Sequence, residues 1–253
     1  MRKGLFSLLI SGLLGATVSA HEQKAEILNR TIKVGGNSYA YQVYVPAALQ
    51  GKQNLPVILF LHGINQRGED GFVPTKGASG ALVKHYLEQV PAIVLLPQCR
   101  KGSYWTDPEM DKMVMRELDQ TTTEFDADAQ RLYLTGVSMG GYGVWHLASQ
   151  HTGKFAALIS ICGGSPLQGK DRFAPIAQKV KQTPAWVFHG ADDAVVPVSE
   201  SRQMVQALKA SGGNVRYSEY AGVGHNVWTK AIAEPQLLSW LLAQRLEIGS
   251  RQR

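Results

Sequence analysis

The chain uses two patterns of apolar and polar residues in succession. Between residues 26 and 45, two segments that alternate apolar and polar positions flank Gly35-Gly36-Asn37, which predicts an antiparallel β-hairpin. Short continuous apolar runs follow, which is typical of strands buried on both faces of a parallel sheet. These runs are LPVILFLHG, PAIVLLPQC, RLYLTGVS, AALISICGG and PAWVFHG, and NVRYSEY predicts a last strand.

Predicted helices lie between and after these strands. They are ALVKHYLEQV, MDKMVMRELDQTTTEF, GGYGVWHLASQH, SESRQMVQALKASGG and AIAEPQLLSWLLAQR. The alternation predicts an α/β fold with a mostly parallel central sheet and helices on both faces. No repeat or linker interrupts it, so residues 21–253 are expected to form a single domain. Residues 163–184 leave room for a loop and one short helix, so no large lid domain is expected.

The first twenty residues have the features of a signal peptide. Arg2 and Lys3 precede a short apolar run, and Val18-Ser19-Ala20 supplies small residues at the usual cleavage positions. A membrane anchor is the alternative, but the run is too short to span a bilayer comfortably. We expect cleavage after Ala20 and an exported protein, periplasmic or extracellular, with no membrane attachment after cleavage.

Composition and charge narrow the range of partners. Apolar residues make up 44% and charged residues 18% of the chain, an ordinary globular mixture. The formal net charge of +6 would become +4 without Arg2 and Lys3. Because no basic cluster stands out, nucleic-acid binding is not expected. The sequence gives no indication of the oligomeric state.

Two cysteines, Cys99 and Cys162, admit two interpretations. In an exported protein they could form a disulfide. Each also closes an apolar run, which is where a buried free cysteine would lie. Neither has metal-ligand spacing, and no zinc or calcium motif occurs, so no metal or cofactor is expected.

The sequence Gly136-Val137-Ser138-Met139-Gly140 follows the predicted strand RLYLT directly. A serine hydroxyl is a weak nucleophile near neutral pH, so it must be exposed, positioned and deprotonated by a neighbour. A tight strand-to-helix turn exposes and positions it, and glycines two places on either side relieve the crowding of that turn. The motif predicts that Ser138 is a catalytic nucleophile.

An acid and then a histidine are expected after such a serine. Asp192 and Asp193 both follow the run PAWVFHG, and His225 follows the last predicted strand. Either aspartate could instead initiate a turn, and His225 could be a loop residue without a catalytic role. The order serine, acid, histidine, each after a strand, favours a catalytic triad.

A hydrolytic site also needs an oxyanion hole, and the segment LFLHGIN could contribute to one. The backbone N–H of Ile64 could join that of Met139 to stabilise an oxyanion. His62, in the same segment, could be a second base, but bracing of the turn is the favoured interpretation.

Three side chains are candidates for contact with substrate. Trp105 follows the PQC segment, beside Tyr104, and Trp228 lies three residues after His225. Each tryptophan could flank an acyl or aromatic group, or pack a loop onto the surface. Gln98 could orient the pocket, or make a strand-end hydrogen bond.

The segments LHGINQRGEDG, PQC, TGVSMGGYGVW, ICGG, FHGADDAVVPV and GHNVW together resemble the α/β-hydrolase superfamily. More closely they resemble single-domain bacterial carboxylesterases of the predicted-peptidase branch, near feruloyl esterases, polyhydroxybutyrate-depolymerase-like esterases and dienelactone hydrolases. The resemblance covers residues 26–245.

The resemblance implies that Ser138 is the nucleophile, His225 the base, and Ile64 and Met139 the oxyanion donors. It also implies that the acid is the aspartate four residues before the proline, which is Asp193. The chain departs from the family pattern in two ways. It lacks an HGGG run, and it has serine where dienelactone hydrolases have cysteine, which argues against their substrate chemistry.

The function expected from these features is that of a carboxylesterase. Its substrates would be short-chain or hydroxycinnamoyl esters, including esters carried on polysaccharide, hydrolysed through an acyl-enzyme. One alternative is a serine peptidase of the prolyl-oligopeptidase type, although no propeller domain is present to restrict access. The other is a non-catalytic binding protein on a hydrolase fold, against which the complete triad argues.

Overall fold

The computed structural model describes residues 24–72 and 87–247. The predicted signal peptide, residues 1–20, lies outside the described residues. So does most of the first predicted helix, ALVKHYLEQV, of which residues 87–90 are described.

Eight strands form one sheet. They are β1 (Glu26–Val34), β2 (Asn37–Val45), β3 (Leu55–Leu61), β4 (Ile93–Leu96), β5 (Ala127–Val137), β6 (Ala157–Ile161), β7 (Ala185–Gly190) and β8 (Val215–Tyr220). Their order is β1-β2-β4-β3-β5-β6-β7-β8. Only β2 runs antiparallel to its neighbours, β1 and β4. The predicted hairpin and mostly parallel sheet are therefore confirmed.

Six α-helices accompany the sheet in the described residues. They are α1 (Pro108–Glu124), α2 (Met139–Gln150), α3 (Ala174–Val180), α4 (Ser199–Ala210), α5 (Trp228–Ile232) and α6 (Leu237–Ala243). The prediction of one continuous helix over residues 231–245 is wrong. The chain breaks between α5 and α6 at Pro235, which has no N–H to donate and clashes with the preceding turn. In the part of the chain that the structure describes, no helix combines the length and the apolar character of a membrane span.

Alternate residues of the central strands pack against opposite layers of helices. On one face, Val57 and Leu59 belong to a core that includes residues of α1, α2, α3 and α4. On the other face, Ile58 and Val94 belong to a second core with α5 and α6. This arrangement confirms helices on both faces and explains the unbroken apolar runs, since both sides of each strand are buried.

Between β6 and β7 the chain forms a loop and the seven-residue helix α3, as the length of that interval predicts. The carboxyl ends of the parallel strands meet at one edge of the sheet. The loops after β3, β5, β7 and β8 therefore gather there, where ligand sites of open α/β sheets form.

Cys99 and Cys162 are both buried free thiols. Cys99 belongs to the core with α1 to α4, and Cys162 to the core with α5 and α6. Because the sheet lies between the two cores, the disulfide interpretation does not hold in this structure.

Candidate active site

Ser138 lies in the tight turn between β5 and α2. Its backbone adopts φ 56° and ψ −118°, and non-glycine residues rarely occupy positive φ. The Ser138 N–H donates to the carbonyl oxygen of Ile161 at 2.8 Å. A Cβ on Gly136 would lie only 2.3 Å from the carbonyl oxygen of Gly140. The glycines of the motif thus permit the close packing that this turn requires.

His225 and Asp193 form a chain of hydrogen bonds with Ser138. His225 Nε2 lies 2.9 Å from Ser138 Oγ, and His225 Nδ1 lies 2.7 Å from Asp193 Oδ2. Asp193 comes from the loop after β7, and His225 from the loop after β8. With Nδ1–H donated to the carboxylate, Nε2 is free to accept a proton from the serine hydroxyl. The structure brings the three predicted triad residues together.

The two candidate aspartates have different environments. Asp192 is exposed, whereas Asp193 is buried and its Oδ1 accepts the N–H groups of Val195 and Val196 at 2.8 and 2.9 Å. Burial alone would raise the pKa of the Asp193 carboxyl. Hydrogen bonds from His225 and from the two backbone N–H groups outweigh burial and lower that pKa. Asp193 is therefore a carboxylate near neutral pH.

A second histidine, His189, lies against Asp193. His189 is fully buried, with Nε2 2.9 Å from the Val196 carbonyl oxygen and 3.3 Å from Asp193 Oδ2. Its Nδ1 lies 2.7 Å from Ser201 Oγ. Burial lowers the pKa of His189, so the neutral ring donates from Nε2 and accepts at Nδ1. Sequence reasoning assigned His189 no role; its position at the end of β7, four residues before Asp193, is the only signal for one.

Cys162 is close to the triad but lacks the properties of a nucleophile. Its Sγ lies 3.7 Å from the carbonyl oxygen of His225. Burial raises the pKa of the thiol to about 12. A reactive cysteine requires an accessible thiolate, so the thiol packs beneath the histidine loop without competing with Ser138.

The backbone N–H groups of Ile64 and Met139 each start a helical segment. Met139 begins α2, and Ile64 begins the 3₁₀ turn Ile64–Gln66. The first N–H groups of a helix have no partner within it. A Cβ on Gly63 would lie 3.7 Å from the Ser138 Cβ, so the loop that carries Ile64 lies against the nucleophile turn. This arrangement suits a pair of oxyanion donors.

His62 braces this loop. Its Nε2 accepts the Cys99 N–H at 3.1 Å, which places the ring proton on Nδ1, and Nδ1 donates to the Gly63 carbonyl oxygen at 2.7 Å. Burial lowers the pKa of His62 to about 4. The ring is neutral with both nitrogens engaged, which agrees with the turn-bracing interpretation and leaves no second base here.

The prediction that Trp105 flanks the substrate is wrong. The side chain is 1% exposed, and its indole N–H donates to the His62 carbonyl oxygen at 2.9 Å. A Cβ on Gly143 would lie 2.6 Å from the Trp105 Cβ, so Trp105 packs against α2 in the core. Its neighbour Tyr104 is 48% exposed, with the Arg67 guanidinium 5.4 Å from its ring centre.

The prediction that Gln98 orients the pocket is also wrong. Gln98 is buried, its Oε1 accepts the Gly71 N–H at 2.6 Å, and its Nε2 donates to the Gln66 carbonyl oxygen at 3.3 Å. These bonds tie the loop after β3 to the end of β4. Gln98 therefore makes the strand-end hydrogen bonds that were its alternative interpretation.

An apolar cavity of about 520 Å³ opens at Ser138 and His225. Trp228 lines it, and meets the His225 ring edge-on with ring centres 6.1 Å apart, so Trp228 lies where a substrate contact was predicted. The other walls come from β3, β4, β5 and β6 on one side and from α5 and α6 on the other. The described lining residues are Ile58, Phe60, Gly63, Ile64, Asn65, Gln66, Leu87, Val94, Leu96, Thr135, Val137, Ser138, Ile159, Ile161, Val195, His225, Trp228, Ile232, Leu237 and Leu241.

The order of the strands, the single reversed strand β2 and the serine on a sharp turn after β5 define the α/β-hydrolase fold. The fold class predicted from the sequence is confirmed. A family model described as Phospholipase/Carboxylesterase matches residues 99–236, more than half of the chain. The chain belongs to this family.

Individual similar proteins are described as esterases or as a depolymerase. The chain is 30% identical to the bifunctional acetylxylan esterase/xylanase XynS20E of Neocallimastix patriciarum, over 61% of this chain but only 21% of that protein. It is 25% identical to the poly(3-hydroxyoctanoate) depolymerase of Pseudomonas fluorescens, over 96% of this chain and 99% of that protein. Among solved structures, a thermostable esterase is 33% identical with a TM-score of 0.76, covering 87% of this chain and 63% of that one.

Proposed function

We propose that the protein is a serine carboxylesterase in which Ser138, His225 and Asp193 form the catalytic triad. The observation that carries the proposal is the continuous hydrogen-bonded chain from Asp193 Oδ2 to Ser138 Oγ at the mouth of an apolar cavity. The family to which the chain belongs supports it.

In the first half of the reaction, Ser138 Oγ attacks the ester carbonyl carbon while His225 Nε2 takes the hydroxyl proton. The N–H groups of Ile64 and Met139 stabilise the negative charge that develops on the carbonyl oxygen; one such donor typically contributes about 3 kcal/mol. The tetrahedral intermediate then collapses. The bond to the alcohol oxygen breaks, His225 protonates the departing alcohol, and the acyl group stays on Ser138.

In the second half, water takes the place of the alcohol. His225 Nε2 removes a proton from the water as the oxygen attacks the acyl carbon, and the same two N–H groups stabilise the second oxyanion. Collapse releases the carboxylic acid and returns the proton to Ser138. Throughout, Asp193 holds the ring with its proton on Nδ1 and stabilises the positive charge that forms on the imidazole.

The proposed substrates are short-chain or hydroxycinnamoyl esters, including esters carried on polysaccharide. The apolar walls of the cavity suit the acyl group. The interval between β6 and β7 holds only a loop and α3, so no inserted domain there blocks a large alcohol. The acetylxylan activity in the description of one relative supports a carbohydrate-linked ester, and the polyester depolymerase supports a polymeric carrier.

A substrate panel tests this function. Purified wild type and Ser138→Ala are assayed on p-nitrophenyl acyl esters, methyl ferulate, acetylated xylan and peptide p-nitroanilides. We expect wild type to hydrolyse esters and Ser138→Ala to lose at least about 10³-fold in kcat, since the nucleophile is removed. Faster hydrolysis of the anilides than of any ester would favour the peptidase alternative. Binding without turnover of any substrate would favour a non-catalytic protein.

We also propose that the protein is exported and cleaved after Ala20. The positive residues, apolar run and small residues of the first twenty positions support this. Amino-terminal sequencing of protein recovered outside the cytoplasm should give His21 as the first residue. Recovery of the uncleaved chain from the cytoplasm alone would contradict export.

A further inference from the structure

The wall of the cavity that the sheet forms consists of three rows of side chains. In the register of the strands, Thr135 of β5 lies beside Phe60 of β3 and Ile159 of β6. The row nearer the nucleophile contains Val137 and Ile161, and a deeper row contains Ile58 and Val94. Every one of these residues except threonine is apolar.

Thr135 is the polar residue of this wall, and the proposed reaction gives it no role. It is 8% exposed, and the surface it exposes lines the cavity. Its hydroxyl makes no hydrogen bond to any residue in the described ranges 24–72 and 87–247. The other polar lining residues, Asn65, Gln66, Ser138 and His225, lie outside the strands, in the 3₁₀ turn after β3, the turn after β5 and the loop after β8.

The hydroxyl is not one of the fully buried side-chain atoms that lack a partner in the described residues, so it is open to the cavity. A bound acyl group would cover it, and a hydroxyl covered without a hydrogen-bond partner costs free energy. Valine would line the same wall without that cost. We propose that Thr135 is a specificity-determining residue, whose hydroxyl forms a hydrogen bond with a polar group at the far end of the acyl group. This inference rests on the proposed esterase function, because it assumes that the acyl group occupies the cavity.

The distance along β5 indicates which acyl group fits. Thr135 precedes Ser138 by three residues, which corresponds to roughly 10 Å along a strand. A 4-hydroxycinnamoyl group is rigid and places its phenolic oxygen about 8 Å from the carbonyl carbon, estimated from ordinary bond lengths. A flexible alkyl chain of the same reach would lose more conformational entropy and would offer Thr135 no partner. The geometry therefore favours hydroxycinnamoyl esters over simple short-chain esters.

The test compares two esters that differ by one hydroxyl, methyl 4-hydroxycinnamate and methyl cinnamate. Each is assayed with wild type, with Thr135→Val, which keeps the shape but removes the hydroxyl, and with Thr135→Ser, which keeps the hydroxyl. The readout is the ratio of the two kcat/KM values within one preparation, because that ratio does not depend on the fraction of folded enzyme.

We expect wild type to prefer the hydroxylated ester by about 5- to 10-fold, the size of one neutral hydrogen bond. The preference should fall to near 1 in Thr135→Val and persist in Thr135→Ser. An unchanged ratio in Thr135→Val, or equal losses on both esters, would overturn the inference and leave Thr135 a packing residue. If wild type hydrolyses p-nitrophenyl acetate but neither cinnamate ester, the inference about Thr135 is overturned and the proposed function stands. Wild type with no activity on any ester would instead overturn the proposed function.

Discussion

Asp192 and Asp193 are adjacent in sequence, yet only Asp193 contacts His225. The difference arises from the turn after β7, where Val195 and Val196 donate their N–H groups to Asp193 Oδ1 and fix the orientation of its carboxylate. Periodicity alone does not distinguish the two residues, and the choice of Asp193 from the sequence depended on the resemblance to a family.

We predict that Asp193→Asn lowers kcat by about 10³- to 10⁴-fold, because an amide can neither hold the required tautomer nor stabilise the imidazolium. Asp192→Asn is the matched control. It removes the same charge from an exposed neighbour and should change kcat by less than about 3-fold. Steady-state hydrolysis of p-nitrophenyl acetate measures both, and a larger loss in Asp192→Asn would refute the assignment.

His62 gives the stability of the protein a defined pH dependence. Its pKa is about 4 in the folded protein, below the ordinary value of about 6.5 in an unfolded chain. Between these values the unfolded state binds a proton that the folded state does not, so stability decreases as the pH falls. The stability that depends on neutral His62 is fully present above about pH 6.5. Roughly 2 kcal/mol should be lost by about pH 5.

Urea unfolding of wild type and His62→Gln at about pH 7 and pH 5 measures this effect. Glutamine can accept the Cys99 N–H and donate to Gly63 without titrating. The variant should be less stable at pH 7 but should lose less stability than wild type on going to pH 5. Identical pH dependence of the two proteins would show that His62 does not carry the effect.

At the scale of elements, the sequence predicts strands better than it predicts the ends of helices. Continuous apolar runs identify the central strands because both faces of each are buried. The apolar spacing predicts a single C-terminal helix because it continues across Pro235, although proline interrupts the backbone hydrogen bonds. Gln98 lies two residues and Trp105 nine residues past the end of β4, and the sequence does not show whether a side chain in this connection turns toward the site or into the core.

Helix α1 contains a buried acid that suggests a stabilising substitution. Glu117 is fully buried, and within the described residues its carboxylate oxygens have no hydrogen-bond partner. Burial raises its pKa well above the ordinary value. The folded state therefore retains a proton that the unfolded state loses above about pH 4.5, and stability decreases as the pH rises toward the folded-state pKa.

We predict that Glu117→Met raises the free energy of unfolding at neutral pH by about 1–3 kcal/mol, because the side chain fills the same space without a polar group. The gain should be larger at about pH 8 than at pH 5. Thermal or urea unfolding at the two pH values measures it. If Glu117→Met is less stable than wild type at both pH values, Glu117 has a partner that stabilises the fold.

For the whole molecule, the sequence predicts the fold class. It also identifies the three triad residues as candidates, because each follows a strand and the carboxyl ends of parallel strands meet at one edge of the sheet. It does not predict the cavity. That space depends on the register of four strands and on the packing of α5 and α6, which come from distant parts of the chain. For the same reason Thr135 attracts no notice in the sequence, where it is one residue of an apolar strand.

The most direct test of the central claim is covalent labelling by a fluorophosphonate, followed by mass spectrometry of the labelled peptide. The account predicts one adduct on Ser138 in wild type and none in Ser138→Ala. Labelling should be far slower in His225→Ala, since the base that activates the serine is gone. An adduct on another residue, or no adduct on the folded wild-type protein, would contradict the account.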